Sequence, residues 1–244
     1  MEKVVLICKM GKVAKIFQNA LFLILTSICI TACATGVDHV KLYDPLSYDP
    51  LQESGVTIAH ADVPKVKPIT DEKIKIGIGR IKDNRPDISS IGVKKNTYGM
   101  AMGKVDVEET VVFLELFKNN LINCFTKAGY EAIPIKEIER STKQEKEEIK
   151  ALMEAEVRTF WVEFMPGFFV VDAASNVIFE VRLIELQTNR EIWSEIFRGK
   201  GKVSSGIAVT RDMFEKSINM AYAEAMRSLY TTISDEKTKR VLNQ

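Results

Sequence analysis

The chain has few of the side chains that most often serve as nucleophiles or metal ligands. Its 244 residues include only two histidines, His39 and His60, and both precede the first regular apolar pattern near Lys73. A folded domain without histidine lacks the usual means for zinc binding and for Ser-His or Cys-His catalysis. We therefore expect no catalytic residue, no metal and no dissociable cofactor, and the composition favours a protein that is not an enzyme.

One apolar run near the start is too short to cross a bilayer. Ala20 to Ile30 has eleven residues, whereas a spanning helix needs about 20. Four lysines and a single acid precede this run. A basic segment, a short apolar core and small residues at its end are typical of a secretory signal peptide. Residues 1–32 are therefore predicted to be removed from the mature chain.

The end of the run, Ile30-Thr31-Ala32-Cys33, resembles the lipobox of bacterial lipoproteins. The resemblance implies that the Cys33 thiol receives diacylglycerol, that the peptide bond before it is cleaved, and that the new amino group is acylated. It also implies the periplasmic face of the outer membrane, because Ala34 replaces the aspartate that commonly signals inner-membrane retention. The alternative is an ordinary cleaved signal followed by an incidental cysteine.

Charge and cysteine content narrow the partners of the mature chain. Removing residues 1–32 takes away four of the 34 basic and one of the 33 acidic residues, which leaves 30 and 32 and a net charge of −2. Nucleic-acid binding needs a strongly basic surface, so nucleic acid is not an expected partner. Cys8 and Cys29 leave with the signal and Cys33 is lipidated, so Cys124 remains unpaired and is predicted to be a small hydrophobic residue at the edge of the core.

Residues 33–72 are predicted to form the lipidated cysteine and a flexible tether. Prolines at 45, 50, 64 and 68 each remove a backbone donor and favour extended geometry. The segment repeats Tyr43-Asp-Pro-Leu and Tyr48-Asp-Pro-Leu. This repeat is interpreted either as a partner-binding peptide or as a spacer that lies on its own domain, and the spacer is favoured.

The folded domain is predicted to span 73–232, followed by a polar tail at 233–244. Alternating Ile74, Ile76 and Ile78 predict its first strand. The next stretch contains Asp83-Asn-Arg85, Ile91-Gly92 and Asn96-Thr-Tyr98-Gly99. This series resembles the opening of the YajG-type outer-membrane lipoproteins, a family of largely undefined role. The resemblance implies a periplasmic α+β domain on a lipid anchor and supplies no catalytic residue.

The same stretch also has the chemistry of a loop, since asparagine and glycine tolerate turn conformations. Asp83 and Arg85 are interpreted either as a ligand pair in a cleft or as a pair that staples the loop to its strand, and stapling is favoured. Asn96, Tyr98 and Gly99 are a candidate partner or loop motif.

Two helices and one strand are predicted next. Asp106, with Glu109 three residues on, predicts the capped start of a helix over 107–128, which Gly129 should end. A short strand is predicted over 130–135. The charged stretch 141–156 is predicted to be a second, solvated helix because its opposite charges lie four residues apart.

The remaining pattern predicts sheet and one more helix. Strands from Thr159, over 176–186 and over 191–203 read as an antiparallel meander with a turn at Gln187 to Arg190, and a helix over 210–232 should cover it. The fold class is therefore α+β, a single domain whose mostly antiparallel sheet has helices on one face. The other face is expected to carry charged and aromatic residues, Trp161, Glu163, Glu180, Arg182 and Trp193, either as a docking surface or as ordinary two-sided strands.

Two classes of function remain from the sequence. The first is a lipid-anchored envelope lipoprotein that binds or scaffolds an outer-membrane, transport or secretion assembly, with a protein partner in the envelope. The second is a small-ligand carrier or hydrolase with a polar cleft near Asp83 and Arg85. A catalytic site needs convergent polar groups in a pocket, and no strong motif of that kind is present, so the first class is favoured.

Overall fold

The structure is a computed structural model that describes residues 36–50, 74–96, 98–108, 112–134, 148–166, 170–206 and 211–242. The chain divides into two units, residues 1–37 and 38–244. All strands and helices below belong to the second unit, except that the first strand begins at Val37, the last residue of the first unit.

The described residues form eight strands and three helices, and two of the helices follow the last strand. The strands are β1 (Val37–Val40), β2 (Lys75–Asp83), β3 (Gly92–Lys95), β4 (Ala101–Val107), β5 (Glu131–Pro134), β6 (Ile149–Pro166), β7 (Val171–Glu185) and β8 (Glu191–Ser205). The helices are α1 (Phe113–Lys127), α2 (Arg211–Ser234) and α3 (Glu236–Leu242).

Strand β6 organises the sheet. One edge of β6 pairs antiparallel with β7 along its length, and β8 continues the sheet beyond β7. The other edge pairs parallel with β2 in its first half and parallel with β3 in its second half. β5 lies beyond β2, while β4 and then β1 lie beyond β3. The sheet is therefore mixed, and the prediction of a mostly antiparallel sheet is wrong because β2, β3 and β5 join it through parallel pairs.

The first half of β6 lies where a charged helix was predicted. Ile149, Ala151, Met153, Ala155 and Val157 are buried in strict alternation, which is the period of a strand. The charged residues between them point to the other face, and their spacing also satisfies the helical pattern of opposite charges. The helix predicted over 141–156 is therefore wrong from position 149 onward, and positions 141–147 lie outside the described residues.

A hairpin and a later helix start replace the loop and the capped helix predicted between β3 and α1. β3 and β4 pair antiparallel where a loop was predicted. Val107 ends β4 and α1 begins only at Phe113, so the predicted cap at Asp106 is wrong: its carboxylate accepts from the Val107 amide at 2.8 Å within the strand. The other end of α1 confirms the prediction, because Gly129 adopts φ +96° just after the helix.

Both long helices pack on the same face of the sheet and close one aromatic core. Phe117 of α1 meets Phe179 of β7 edge to face with ring centroids 5.2 Å apart, and Tyr222 of α2 meets Phe160 of β6 at 5.3 Å. Cys124 is fully buried in this core. The α+β class with helices on one face is confirmed, and the predicted tail at 233–244 contains the short helix α3.

The domain begins earlier than predicted. β1 joins the sheet, and the segment 41–50 continues along α2: the Tyr43 amide donates to Asn219 Oδ1 at 2.9 Å, and Tyr48 is only 6% exposed. Residues 38–50 therefore belong to the folded unit rather than to a tether, which matches the spacer interpretation for the first Tyr-Asp-Pro-Leu repeat. His39 lies within the domain, where its Nδ1 is 3.0 Å from the Val107 carbonyl oxygen. His60 lies outside the described residues.

Candidate functional site

Asp83 and Arg85 form a bidentate ion pair where β2 ends. Arg85 Nε and Nη2 donate to the two carboxylate oxygens of Asp83, each at 2.8 Å, and the side chains are only 5% and 14% exposed for Arg85 and Asp83. Burial acts to raise the pKa of the Asp83 carboxyl, but the hydrogen bonds from Arg85 outweigh it and hold this pKa below its usual value. The pair is therefore ionised at neutral pH.

The Arg85 guanidinium is also engaged on its remaining edge and on its face. Nη1 donates to the carbonyl oxygen of Ser90 at 3.3 Å, and the guanidinium lies 4.3 Å from the centroid of the Phe113 ring. One cation thus joins the end of β2, the following loop and the first turn of α1. This geometry fits the stapling interpretation, and a partner-binding role of Asp83 and Arg85 stays a prediction.

Asn96 shapes the turn between β3 and β4. Its side-chain Oδ1 accepts from the amides of Tyr98 and Met100 at 3.0 and 2.9 Å, and its carbonyl accepts from the Gly99 amide at 2.9 Å. Gly99 adopts φ +79°, a conformation that other residues rarely adopt. The turn leaves Tyr98 86% exposed and Met100 59% exposed.

The sequence motif does not converge on one cleft. Asp83 pairs with Val157 of β6, whereas Lys94, next to the turn, pairs with Phe164. Lys95 and Asn96 follow along β3, so about eight strand positions, roughly 25 Å, separate the ion pair from the turn. A catalytic cleft that includes both Arg85 and Tyr98 is therefore not formed.

A cavity of about 280 Å³ lies beside the ion pair. Its lining combines the loop after β2 with the middle of β6: Arg85, Pro86, Asp87, Thr159, Phe160 and Trp161. Hydrogen bonds from the Ser89 hydroxyl and amide, against a small effect of burial, hold the pKa of Asp87 below its usual value. Because Asp87 and Arg85 are both held within their own loop, the cavity offers mainly aromatic and aliphatic surface to a ligand.

The sheet face away from the helices carries a charged network centred on Glu180. Its carboxylate accepts from Arg182 Nε and Nη2, each at 3.0 Å, and from the Ser194 hydroxyl at 2.9 Å, and it also pairs with Arg158. The Arg182 hydrogen bonds hold the pKa of Glu180 below its usual value. This face agrees with the sequence prediction for Glu180 and Arg182.

Of the other three predicted face residues, Trp161 and Glu163 lie on this face and Trp193 does not. Trp161 pairs with Asn176 on the same outward face as the network, and Glu163 there pairs with Lys95. Trp193 instead pairs with Leu183 and packs on Phe197 with ring centroids 6.0 Å apart, on the helix-covered side. The prediction for Trp193 is wrong because the β7 and β8 register puts it in line with the inward residues.

Several exposed apolar residues lie near the turn, and the sequence did not predict them as a surface. Met165, near the end of β6, is 47% exposed, and Val170, just before β7, is 46% exposed. Both lie near the β3–β4 turn. Met165 and Val170 come near the turn because β3 pairs parallel with β6. No pattern of neighbouring residues in the sequence predicts this pairing. Met100 directly follows the turn from Asn96 to Gly99. Its position next to a turn motif was enough to predict its exposure.

The lipidation site and the preceding apolar run, including Cys33, lie outside the described residues. No helix within the described ranges is long and apolar enough to cross a membrane. In the same part of the chain, no group of three or more histidine, cysteine or acidic side chains is arranged to hold a metal ion.

Comparison with known proteins gives similarity of structure without similarity of sequence. No protein-family model matches the chain, and no curated protein matches it significantly. Among solved structures, protein XCC0632 from Xanthomonas campestris, of family DUF330, is 12% identical with a TM-score of 0.45, covering 84% of this chain and 99% of its own. A neuraminyllactose-binding hemagglutinin homolog from Helicobacter pylori is 12% identical with a TM-score of 0.48, covering 77% and 99%.

A bacterial lipoprotein is also among the structural neighbours. Lipoprotein GNA1162 from Neisseria meningitidis is 12% identical with a TM-score of 0.32, covering 70% of this chain and 99% of its own. All three identities are 12% and all three TM-scores are below 0.5, so these similarities assign no function to this chain.

Proposed function

We propose that the protein is an envelope lipoprotein, anchored through Cys33, whose domain binds another envelope protein rather than catalysing a reaction. The observation that carries the proposal is the sequence Ile30-Thr31-Ala32-Cys33 at the end of a short apolar run. The folded unit starts at Asp38, shortly after this cysteine. The residue after the cysteine, Ala34, supports the outer membrane, with the domain on its periplasmic side.

Lipid attachment is tested by labelling cells with radioactive palmitate. The wild-type chain should carry label and fractionate with outer membranes, and Cys33→Ser should lose the label and accumulate as uncleaved precursor. Cys29→Ala is the matched control, since it removes a cysteine from the same signal segment and should leave the label in place. A Cys33→Ser protein that is still processed and still fractionates with outer membranes would contradict the lipoprotein proposal.

The outward face of the sheet is the surface proposed for protein binding. It carries Trp161 and, farther along the same face, the charged network of Glu180, Arg182 and Arg158. Interfaces are enriched in tryptophan and arginine. A photoreactive residue at Asn176, next to Trp161, should form specific cross-links in cells, and these should be lost when Cys33→Ser removes the anchor. Equal cross-linking from exposed Ser228 on α2 would argue against this face.

The cavity beside Arg85 favours a second candidate function, a carrier of a small apolar ligand. Its volume of about 280 Å³ and its Phe160 and Trp161 walls suit such a ligand. Native mass spectrometry of protein from cells should then find a bound small molecule, and Thr159→Phe, which fills the cavity, should abolish its binding. Purified protein that carries nothing and shows no change of Trp161 fluorescence with apolar probes would exclude the carrier.

A further inference from the structure

The chain between the lipidated cysteine and the fold is short. Four residues, 34–37, separate Cys33 from Asp38, the first residue of the folded unit. Even a fully extended chain spans at most about 18 Å over these five steps. A domain of this size is about 40 Å across, so a lipid on Cys33 keeps the part of the domain around Asp38 close to the membrane.

Asp38 lies towards the end of the domain that carries the β3–β4 turn. Its Oδ2 is 3.0 Å from Lys94 Nζ, and Lys94 pairs with Gly103 just before the β3–β4 turn. At the other end of β1, the Val40 carbonyl accepts from the amide of Glu108, beyond the end of β4, at 3.2 Å. β1 therefore enters the sheet at the side of the β3–β4 turn and leaves it at the opposite end of β4.

The same end carries exposed apolar side chains. We use the name anchor end for the β3–β4 turn residues Asn96 and Tyr98–Met100 together with Met165 and Val170. Lys94 pairs with Phe164, so the β3–β4 turn lies beside the place where β6 passes into β7. Four large apolar side chains of the anchor end are between 46% and 86% exposed: Tyr98, Met100, Met165 and Val170.

The β3–β4 turn holds the side chains of Tyr98 and Met100 outward. Asn96 fixes the amides of both Tyr98 and Met100 through one side-chain oxygen, so the two side chains are presented by an ordered turn. Tyrosine is enriched at the level of the lipid headgroups because its ring is apolar and its hydroxyl remains hydrated. Exposed apolar residues at the point where a lipid anchor leaves the fold fit a lipid surface better than bulk water.

We propose that the anchor end rests on the membrane and that Tyr98 and Met100 enter its headgroup layer. The inference rests on the proposed lipidation of Cys33 and adds the orientation of the domain. The sheet then stands with β6 and β7 rising away from the bilayer, and the turn between β7 and β8 lies up to about 45 Å farther out along β7. In this orientation the outward face of the sheet stays accessible from the side.

The test is depth-dependent quenching on the full lipidated protein in vesicles of phosphatidylethanolamine and phosphatidylglycerol. A fluorophore is attached at Tyr98→Cys or Met100→Cys, and the vesicles contain a phospholipid with a nitroxide near its headgroup. The control is Gln187→Cys, an exposed position in the turn between β7 and β8. Each variant has a single reactive thiol, because Cys33 carries lipid and Cys124 is buried.

We expect the labels at 98 and 100 to be quenched at least about threefold more strongly than the label at 187. Mass spectrometry of the amino-terminal peptide separates the two proposals. An unacylated Cys33 would overturn both the lipoprotein function and the orientation. An acylated, vesicle-bound protein with equal quenching at 98 and 187 would overturn the orientation alone.

A second variant checks that the side chains themselves contribute. Tyr98→Ser combined with Met100→Ser should reduce the quenching of a label at Met165→Cys at least about twofold, while the lipid still holds the protein on the vesicle. The label at Gln187→Cys in the same double variant should not change. Unaltered quenching at position 165 would show that the apolar side chains of the turn do not seat the domain, and would overturn their proposed insertion.

Discussion

The carbonyl oxygen of Ser217 in α2 occupies the space where Gly201 of β8 would carry a side chain. A Cβ built on Gly201 would lie 1.9 Å from that oxygen, and one on Gly199 would lie 1.9 Å from the carbonyl oxygen of Ala221. The backbone of the helix therefore rests directly on the backbone of the strand. Glycine in the strand and small residues in the helix are both required for this approach.

Gly201→Ala should therefore lower the free energy of unfolding by at least about 2 kcal/mol, since the added methyl group meets backbone that cannot move independently. Urea denaturation followed by circular dichroism measures the loss. Gly206→Ala is the matched control, because a Cβ there has no neighbour within 4 Å, and it should change stability by less than about 0.5 kcal/mol. Equal effects of the two substitutions would contradict the close packing of α2 on β8.

Asp83→Asn should lower the free energy of unfolding by about 3 kcal/mol near neutral pH, because it leaves the Arg85 guanidinium buried without its counter-charge. The loss should depend on pH. The pKa of Asp83 is depressed in the folded state, so its stabilising contribution is complete above the usual pKa of about 3.9 and disappears as the pH falls through the folded-state pKa. Denaturant titrations at a series of pH values measure the difference between wild type and variant.

That difference should be constant at neutral and mildly acidic pH and shrink below about pH 4. Asp235→Asn, at an exposed carboxylate between α2 and α3, is the control and should cost less than about 0.5 kcal/mol near neutral pH. An Asp83→Asn deficit that persists undiminished into strong acid would show that packing, rather than the charge of Asp83, supports Arg85.

Cys124 should be inert to alkylation in the folded protein. Burial raises the pKa of its thiol to about 12, and the thiolate is the reactive form. Iodoacetamide at mildly alkaline pH should modify Cys124 only as the domain unfolds in urea, with the same midpoint as the loss of circular dichroism. The exposed thiol of Gln187→Cys should react at once without urea. Modification of Cys124 before the unfolding transition would mean that the α1 side of the core opens locally.

The elements that could be predicted from the sequence are those defined by near neighbours. Gly129 marks the end of α1, Gln187 to Arg190 turn β7 into β8, and one apolar stripe defines α2. Asp83 and Arg85, two residues apart, also meet through local geometry. In each case the interaction that decides the structure lies within a few positions of the residue that signals it.

The remaining elements depend on partners distant in sequence. The β6 residues from Ile149 to Val157 form a strand because β2, more than 70 positions earlier, pairs with them. β3 contains Lys94 and Lys95, which in the sequence are typical of a solvated segment. In the structure they pair with Asp38 and Glu163, which are distant in sequence. The same parallel pairing brings the β3–β4 turn beside Met165, so the anchor end could not be predicted from local patterns.

Asn219→Ala tests whether the segment after β1 is a docked part of the domain. Asn219 is 1% exposed, its Oδ1 accepts from the Tyr43 amide at 2.9 Å, and its Nδ2 donates to the Lys41 carbonyl at 2.8 Å. Removing the amide leaves two backbone groups without these partners, at a cost of about 1–3 kcal/mol. The segment 41–50 should then open more often, and trypsin should cut after Lys41 roughly tenfold faster.

Mass spectrometry of a limited trypsin digest measures this rate against cleavage after Lys202 in β8, which should not change. Ser228→Ala, on the exposed side of α2, is the control and should leave both rates as in wild type. If cleavage after Lys41 is already fast in wild type and Asn219→Ala does not accelerate it, the segment is loosely held. β1 would still hold Asp38 in the sheet, so this outcome would contradict the docking of residues 41–50 on α2 and leave the chain between lipid and domain at residues 34–37.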